Sequence, residues 1–184
     1  SATNDAGIGM AAALGWKFLD AQGLELAPTG ENLIQIASIS SVDLAPCAFT
    51  VVTDVANPLA GPTGAAHVFA AQKGASATAI KQLDKGLNNI ASFFGSLAFE
   101  PGAGAAGGLG AGALYFLKAK IVPGSSWVMD KVHLNRALLK ADFIITGEGK
   151  IDSSTWDGKV VSEVVKRCDK VFKQTILVSG AFES

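Results

Sequence analysis

Two segments of the sequence hold most of the side chains that could do chemistry on an anion. Residues 54–64 (DVANPLAGPTG) place Asp54 directly after an apolar run and Asn57 three positions later. Residues 146–159 (TGEGKIDSSTWDGK) combine Glu148, Asp152 and Lys159 with interspersed glycines. A carboxylate that follows a buried strand can act as a general base or face a metal ion. A lysine near a helix start can meet a phosphate or carboxylate group.

Both segments also have a purely structural interpretation, which the residue types alone leave open. Asp54 could cap the next turn while Asn57 shapes the loop, and residues 146–159 could form a charged surface loop with capping side chains. Lys73 follows a predicted helix, where its charge suits the helix dipole as well as a substrate anion. The two cysteines, Cys47 and Cys168, show no metal-ligand spacing and are interpreted as free thiols.

A glycine-rich run at residues 102–112 (GAGAAGGLGAG) contains the pattern G-x-G-x-x-G between Gly102 and Gly107. In dinucleotide-binding proteins this pattern follows a strand directly, and no clear strand precedes it here. We therefore expect the glycines to allow close packing of the backbone, with a backbone anion site as the alternative.

Apolar runs and helical periodicity alternate along the chain. We predict strands over 47–55, 142–146 and 175–179, and helices over 64–72, 78–97, 132–140 and 158–168. This alternation predicts an α/β fold with a parallel sheet and helices on both faces. Ligands of such folds bind at the carboxyl ends of the strands, so the loops after Val55 and Thr146 are the candidate binding loops.

Composition excludes several classes of partner. The 184 residues have a net charge of −1 and no basic stripe, so a nucleic acid is not expected. The nearly uncharged stretch of residues 49–69 contains Asp54, His67 and two prolines, so it does not predict a membrane span. No secretory signal is visible near the start, and a cytoplasmic location is expected.

Six segments, taken in order, resemble the bacterial type I glycerate kinases. They are SATNDAGIGM (1–10), LGWKFLDAQG (14–23), TDVANPLAGPTGA (53–65), VFAAQKGA (68–75), GAGAAGGLGA (102–111), and ITGEGKID with Gly158-Lys159 (145–159). The resemblance implies the flavodoxin-like domain of such an enzyme. It also implies ATP-dependent phosphorylation of D-glycerate to a phosphoglycerate, with Mg²⁺ accompanying ATP, in a cleft between two domains.

The resemblance also implies roles for residues in the matching motifs. Asp54 or Asp5 would be the catalytic carboxylate near the reacting hydroxyl. Glu148 and Asp152 would lie on the magnesium side. The substrate-binding candidates are Asn4, Asn57, Lys73 and Lys159.

Members of this family are much longer, and the chain starts inside their Gly-Gly-Ser-Ala-Thr-Asn-Asp motif. We therefore expect residues 1–184 to form a single α/β domain that is a fragment of a larger two-domain enzyme. Its partner would be the remainder of the same polypeptide, the isolated chain would be a poor or inactive kinase, and a homodimer stays open. The alternative function is a non-catalytic domain of the same fold that binds or senses a small acid.

Overall fold

The computed structural model describes residues 2–156 and 160–183, which fall into two compact units, 1–121 and 122–184. Unit 1 contains the helices α1 (Ile8–Ala13), α2 (Ala65–Phe69), α3 (Ala77–Phe94) and α4 (Ala105–Phe116), and the strands β1 (Lys17–Leu19), β2 (Ser38–Ser40) and β3 (Thr50–Thr53). Strand β4 (Lys120–Pro123) lies at the boundary. Unit 2 contains α5 (Gly124–Lys131), α6 (Leu134–Lys140), β5 (Ile144–Ile151), α7 (Val160–Lys170) and β6 (Thr175–Phe182).

Helix α3 is the longest helix and follows from its sequence. Ser76 caps it, because the Ser76 hydroxyl accepts a 3.2 Å hydrogen bond from the backbone N–H of Ala79. Leu87, Ile90 and Phe94 recur at spacings of three and four and are buried. The helix ends at Gly95, whose φ of +58° favours glycine. The sequence predicts a helix over 78–97, which extends three residues beyond the observed end at Phe94.

The core of unit 1 is an aromatic cluster surrounded by aliphatic side chains. Phe18 and Phe116 are buried and meet edge to face, with ring centroids 5.8 Å apart. Phe94 stacks on Tyr115 with centroids 4.6 Å apart. Such ring pairs add to the stabilisation that burial alone provides. Buried residues of α1, α3 and α4 all belong to this core.

The strands pair as three two-stranded sheets, β1–β2, β3–β4 and β5–β6. β1 and β2 are antiparallel, and β5 runs parallel to β6, with Ile144 opposite Thr175. The α/β class is confirmed by this parallel pair among several helices. The loops after β3 and after β5 follow strands of different sheets.

Strand β5 is longer than the sequence predicts. Residues 147–151 were expected to form a flexible loop, but they continue the strand because β6 offers a backbone ladder as far as Phe182. Glu148 therefore lies within β5, opposite Ser179. The following turn, Ser153–Trp156, is a short 3-10 helix.

Unit 2 has a small core of its own and one buried cation. Its apolar core contains Met129, Leu138, Ile144, Val164 and Cys168. Beside it, the guanidinium of Arg167 bonds to Asp130 at 2.6 Å and to Glu163 at 2.8 Å. The hydrogen bond to Asp130 is the largest cause that raises the pKa of Arg167, so the side chain stays charged.

Within the described residues, none of the helices combines the length and apolarity that a membrane crossing requires.

Candidate functional site

Asp5 lies where the chain enters α1. Its two carboxylate oxygens accept hydrogen bonds from the backbone N–H groups of Gly7, at 3.1 Å, and Gly9, at 3.3 Å. The first N–H groups of a helix have no partner within the helix, so this carboxylate stabilises the start of α1. Gly7, the N-cap residue of α1, has no side chain of its own, so Asp5 takes over this role from two positions earlier.

Lys73 ends a 3-10 turn, Ala71–Lys73, that follows α2. Its ammonium group donates a 2.5 Å hydrogen bond to the carbonyl oxygen of Thr3. Partial burial lowers the pKa of Lys73, and the negative charge of Asp5 opposes this shift. The structure thus brings together Asp5 and Lys73, which are separated in the sequence by more than half of unit 1.

Asn4 is the most unusual polar residue of this group. The residue is 8% exposed, and within the part of the chain that the structure describes neither the nitrogen nor the oxygen of its side-chain amide has a hydrogen-bond partner. Leaving a buried polar group unpaired costs about 1–3 kcal/mol. Buried amides in folded proteins are normally paired, so an amide with two free positions is a strong candidate for contact with a ligand.

A cleft of about 410 Å³ adjoins these three residues. This volume suits a small molecule. Its polar lining includes the lysine, the aspartate and the unpaired amide, while Leu83 contributes an apolar surface. The residues that line it are Ala2, Thr3, Asn4, Asp5, Pro28, Thr29, Gly30, Glu31, Ala70, Lys73, Gly74, Ala75 and Leu83.

The glycine-rich run packs against the same segment. Gly107 has a φ of +75°, and a Cβ there would overlap the carbonyl oxygen of Thr3 and lie 2.9 Å from the Lys73 ammonium nitrogen. Gly107 also accepts a 3.0 Å hydrogen bond from the N–H of Ala6. On another side, a Cβ on Gly30 would lie 2.6 Å from the Asn4 carbonyl oxygen. The glycines therefore serve close packing around residues 3–6, as expected from the sequence.

A second cleft, of about 420 Å³, shares Lys73 with the first. Thr53 and Val55 line it from the end of β3, and Gln72 and Ala106 also contribute. Asp54, between these two strand-end residues, is exposed and is absent from the lining of both clefts. The structure therefore places Asp5, and not Asp54, in the wall of the cleft with the unpaired amide.

Asn57 shapes the loop between β3 and α2. Its side-chain nitrogen donates a 2.8 Å hydrogen bond to the carbonyl oxygen of Thr63, and its own carbonyl oxygen accepts one of 2.8 Å from the N–H of Gly104. These bonds match the structural interpretation of this residue. Its predicted contact with substrate stays a prediction.

Glu148 and Asp152, in unit 2, were predicted on the magnesium side. One carboxylate oxygen of Glu148 is buried and has no hydrogen-bond partner among the described residues. Asp152 lies 3.9 Å from the ammonium of Lys150, and its N–H donates to the Thr155 hydroxyl. Over residues 2–156 and 160–183, no group of three or more His, Cys, Asp or Glu side chains forms a metal site. Two carboxylates fit Mg²⁺ all the same, because this ion commonly takes one or two, together with substrate phosphates. Lys159 lies outside the described residues.

Comparison with known proteins gives the chain a family. Residues 1–184 match the family model described as "Glycerate kinase family". The chain belongs to the glycerate kinase family. It is 42% identical to a glycerate kinase of Bacillus subtilis and 39% identical to a glycerate 2-kinase of Escherichia coli, over 98% of the chain and 50% of each relative. The chain thus spans about half the length of these glycerate kinases.

A solved structure gives the same result. A crystal structure from Salmonella typhimurium LT2, provisionally designated glycerate kinase 2, matches with a TM-score of 0.83 and 40% sequence identity. The match covers 98% of the chain and 51% of the Salmonella protein. The resemblance stated from the sequence motifs is therefore confirmed at the level of the family.

Several site residues have no signal in the sequence. Thr3 contributes a backbone carbonyl oxygen, and Gly30 contributes only the absence of a side chain. Carbonyl acceptors occur at every position of a chain, so only the fold can single one out. For Gly30, the nearest indication was the Pro28-Thr29-Gly30 run, which signals a turn.

Proposed function

We propose that the chain is part of a glycerate kinase that transfers the terminal phosphoryl group of ATP to D-glycerate. Family membership supports the reaction, and the observation that supports the site is the buried, unpaired amide of Asn4 in a cleft with Lys73. The proposal concerns the whole protein, of which this chain would provide the acceptor site.

The cleft matches the chemistry of a small hydroxy acid. The Lys73 ammonium is a cation for the acceptor carboxylate. The side-chain amide of Asn4 offers an NH2 group as donor and an oxygen as acceptor, which suit a carboxylate oxygen and a hydroxyl group respectively. Asn57 and Lys159 remain further candidates for substrate contact.

In the proposed reaction, the hydroxyl oxygen of glycerate forms a bond to the terminal phosphorus, the bond to ADP breaks, and the hydroxyl proton passes to a carboxylate. Phosphoryl transfer depends mainly on positioning and on cations that stabilise the transferring group. Asp5 lines the cleft, and we therefore prefer it to Asp54 as the carboxylate near the hydroxyl. Its bonds to Gly7 and Gly9 hold it in place, as an orienting group requires.

ATP and Mg²⁺ complete the proposal. When bound, Mg²⁺ would neutralise charge on the ATP phosphates. Glu148, with its unpaired buried oxygen, and Asp152 would hold the ion.

The test compares the 184-residue chain with a full-length protein that contains it. ADP release with D-glycerate and MgATP is measured for both, and ³¹P spectra identify the product. We expect turnover by the full-length protein and little or none by the isolated chain. Robust turnover by the isolated chain would contradict the fragment hypothesis. Binding of D-glycerate without ADP release by either protein would contradict the kinase proposal and favour a non-catalytic binding or sensor domain.

The same proposal includes a cytoplasmic location and a homodimer, and both stay predictions. Size-exclusion chromatography with light scattering on the full-length protein would check the oligomeric state.

A further inference from the structure

Asp84, in the middle of α3, extends its carboxylate to a different part of unit 1. One oxygen accepts a 2.9 Å hydrogen bond from the backbone N–H of Gly61, in the loop before α2. The other oxygen lies 3.6 Å from Nε2 of His67, on α2 itself. The Asp84 side chain is 17% exposed, so water screens these contacts less than those of surface carboxylates.

The loop that Asp84 contacts leads directly into α2. Gly61 has a φ of +90°, and its carbonyl oxygen accepts a 2.8 Å hydrogen bond from the N–H of Gly64. Gly64 is the N-cap of α2 and has no side chain to cap it. Asp84 therefore fixes the start of α2 from outside, where the sequence of α2 provides no cap of its own.

Backbone hydrogen bonds continue along the chain from α2 to Lys73. The carbonyl oxygen of Ala70 accepts hydrogen bonds from the N–H groups of Lys73, at 3.0 Å, and Ala75, at 3.1 Å. Ala70 itself donates to Ala66, at 3.1 Å. Hydrogen-bonded turns thus connect the start of α2 with Lys73 along the chain.

We propose that Asp84 is a positioning residue that acts through α2 to hold the Lys73 ammonium at the acceptor cleft. Asp84 fixes one end of this segment, and the bond from Lys73 to Thr3 fixes the other. The consequence for turnover rests on the proposed kinase function. The effect on the position of Lys73 does not.

The same helix offers a matched control. The side-chain nitrogen of Asn88 donates to the Asp84 carbonyl oxygen at 2.8 Å and to its carboxylate at 3.1 Å. Asn88→Ala removes a neighbour of Asp84 but leaves the bond to Gly61 intact. Asp84→Asn keeps an oxygen for the Gly61 N–H, whereas Asp84→Ala removes it.

The experiment measures how fast the Lys73 amine reacts with an acetylating reagent at fixed pH, by mass spectrometry, with exposed Lys140 as internal reference. It uses the 184-residue chain and its Asp84→Ala, Asp84→Asn and Asn88→Ala variants, with the melting temperature of each. In parallel, kcat and KM for D-glycerate are measured in the full-length protein. A loss of positioning alters the reactivity of one lysine, whereas a general loss of stability alters many.

We expect Asp84→Ala to raise the acetylation rate of Lys73 relative to Lys140 about fivefold and to raise KM about tenfold. Asp84→Asn should restore most of both values, and Asn88→Ala should match the wild type. If Asp84→Ala lowers the melting temperature while the relative acetylation rate of Lys73 stays unchanged, Asp84 is only structural and the proposal is wrong. If the full-length protein shows no turnover, the kinase function fails, and the acetylation rates still decide the role of Asp84.

Discussion

The ammonium nitrogen of Lys73 lies 2.5 Å from the carbonyl oxygen of Thr3, although the two residues are 70 positions apart. A Cβ on Gly107 would lie 2.9 Å from the same nitrogen. Three distant parts of unit 1 therefore meet at one side chain.

Replacing Lys73 tests the cation of the cleft. Lys73→Met keeps the length of the side chain and removes its charge, so we expect the affinity for D-glycerate to fall about 10- to 100-fold. Isothermal titration calorimetry on the full-length protein measures this loss. Lys81→Met, on the exposed surface of α3, is the control and should change nothing. Equal affinities for both variants would remove Lys73 from the site.

The pH dependence of binding follows from the burial of Lys73. Burial lowers its pKa from the usual 10.5, so the side chain loses its proton at a lower pH than an exposed lysine. The affinity for the glycerate anion should therefore fall as the pH rises through this lowered value. In Lys73→Arg the fall should move to higher pH, because arginine stays protonated. An identical alkaline limit in both proteins would show that another group sets it.

Replacing Asn4 separates function from stability. Asn4→Leu fills the same buried position and removes an unpaired amide, so we expect the free energy of unfolding to rise by about 1 kcal/mol. The affinity for D-glycerate should nevertheless fall at least about tenfold. Urea denaturation and calorimetry give the two quantities. A drop in stability together with unchanged affinity would show that the amide has a structural partner.

Comparing Asp5 with Asp54 identifies the catalytic carboxylate. Asp5→Asn keeps an oxygen for the N-terminus of α1 but is a much weaker base, so the fold should persist while kcat falls about 100-fold. The same loss in Asp54→Asn, with near-normal kcat in Asp5→Asn, would reverse the assignment. Circular dichroism of both variants checks that the fold is retained.

Adding one methyl group at Gly107 tests the close packing. In Gly107→Ala the new Cβ would overlap the Thr3 carbonyl oxygen, and we expect a loss of more than about 3 kcal/mol in the free energy of unfolding. Gly23 also has a positive φ, +80°, but a Cβ there meets nothing within 4 Å. Gly23→Ala should therefore cost only about 1 kcal/mol, from backbone strain alone. Similar losses in both variants would contradict the packing argument.

The sequence predicted the helices and strands whose apolar residues recur at a regular spacing. The spacing of Leu87, Ile90 and Phe94 gave α3, and the β-branched residues near Val52 gave β3. Helix α5 was missed, because its first residues, Gly124-Ser-Ser, have low helix propensity and no apolar period. Strand β5 was placed but cut short, since its glycines resemble a loop until β6 pairs with them.

The sequence identified several residues of the candidate site, but it did not predict which of them lie together in space. The motif around Asn4 and Asp5 and the lysine at position 73 were both selected from the sequence, and the structure brings them to one cleft. Asp54, selected for its place at the end of β3, lies outside the lining of that cleft. Asp54 lies one residue beyond the end of β3 and is exposed, and its neighbours Thr53 and Val55 line the second cleft instead.

The backbone hydrogen bond from Ala6 to Gly107 has a consequence for the order of folding. It joins residues about a hundred positions apart, and loops of this length close late because their entropy cost comes before any contact that rewards it. The packing of residues 3–6 against the glycine-rich run should therefore be among the later steps in the folding of unit 1. Pulse-labelled hydrogen exchange during refolding would then show the N–H of Ala6 becoming protected after the N–H groups of α3.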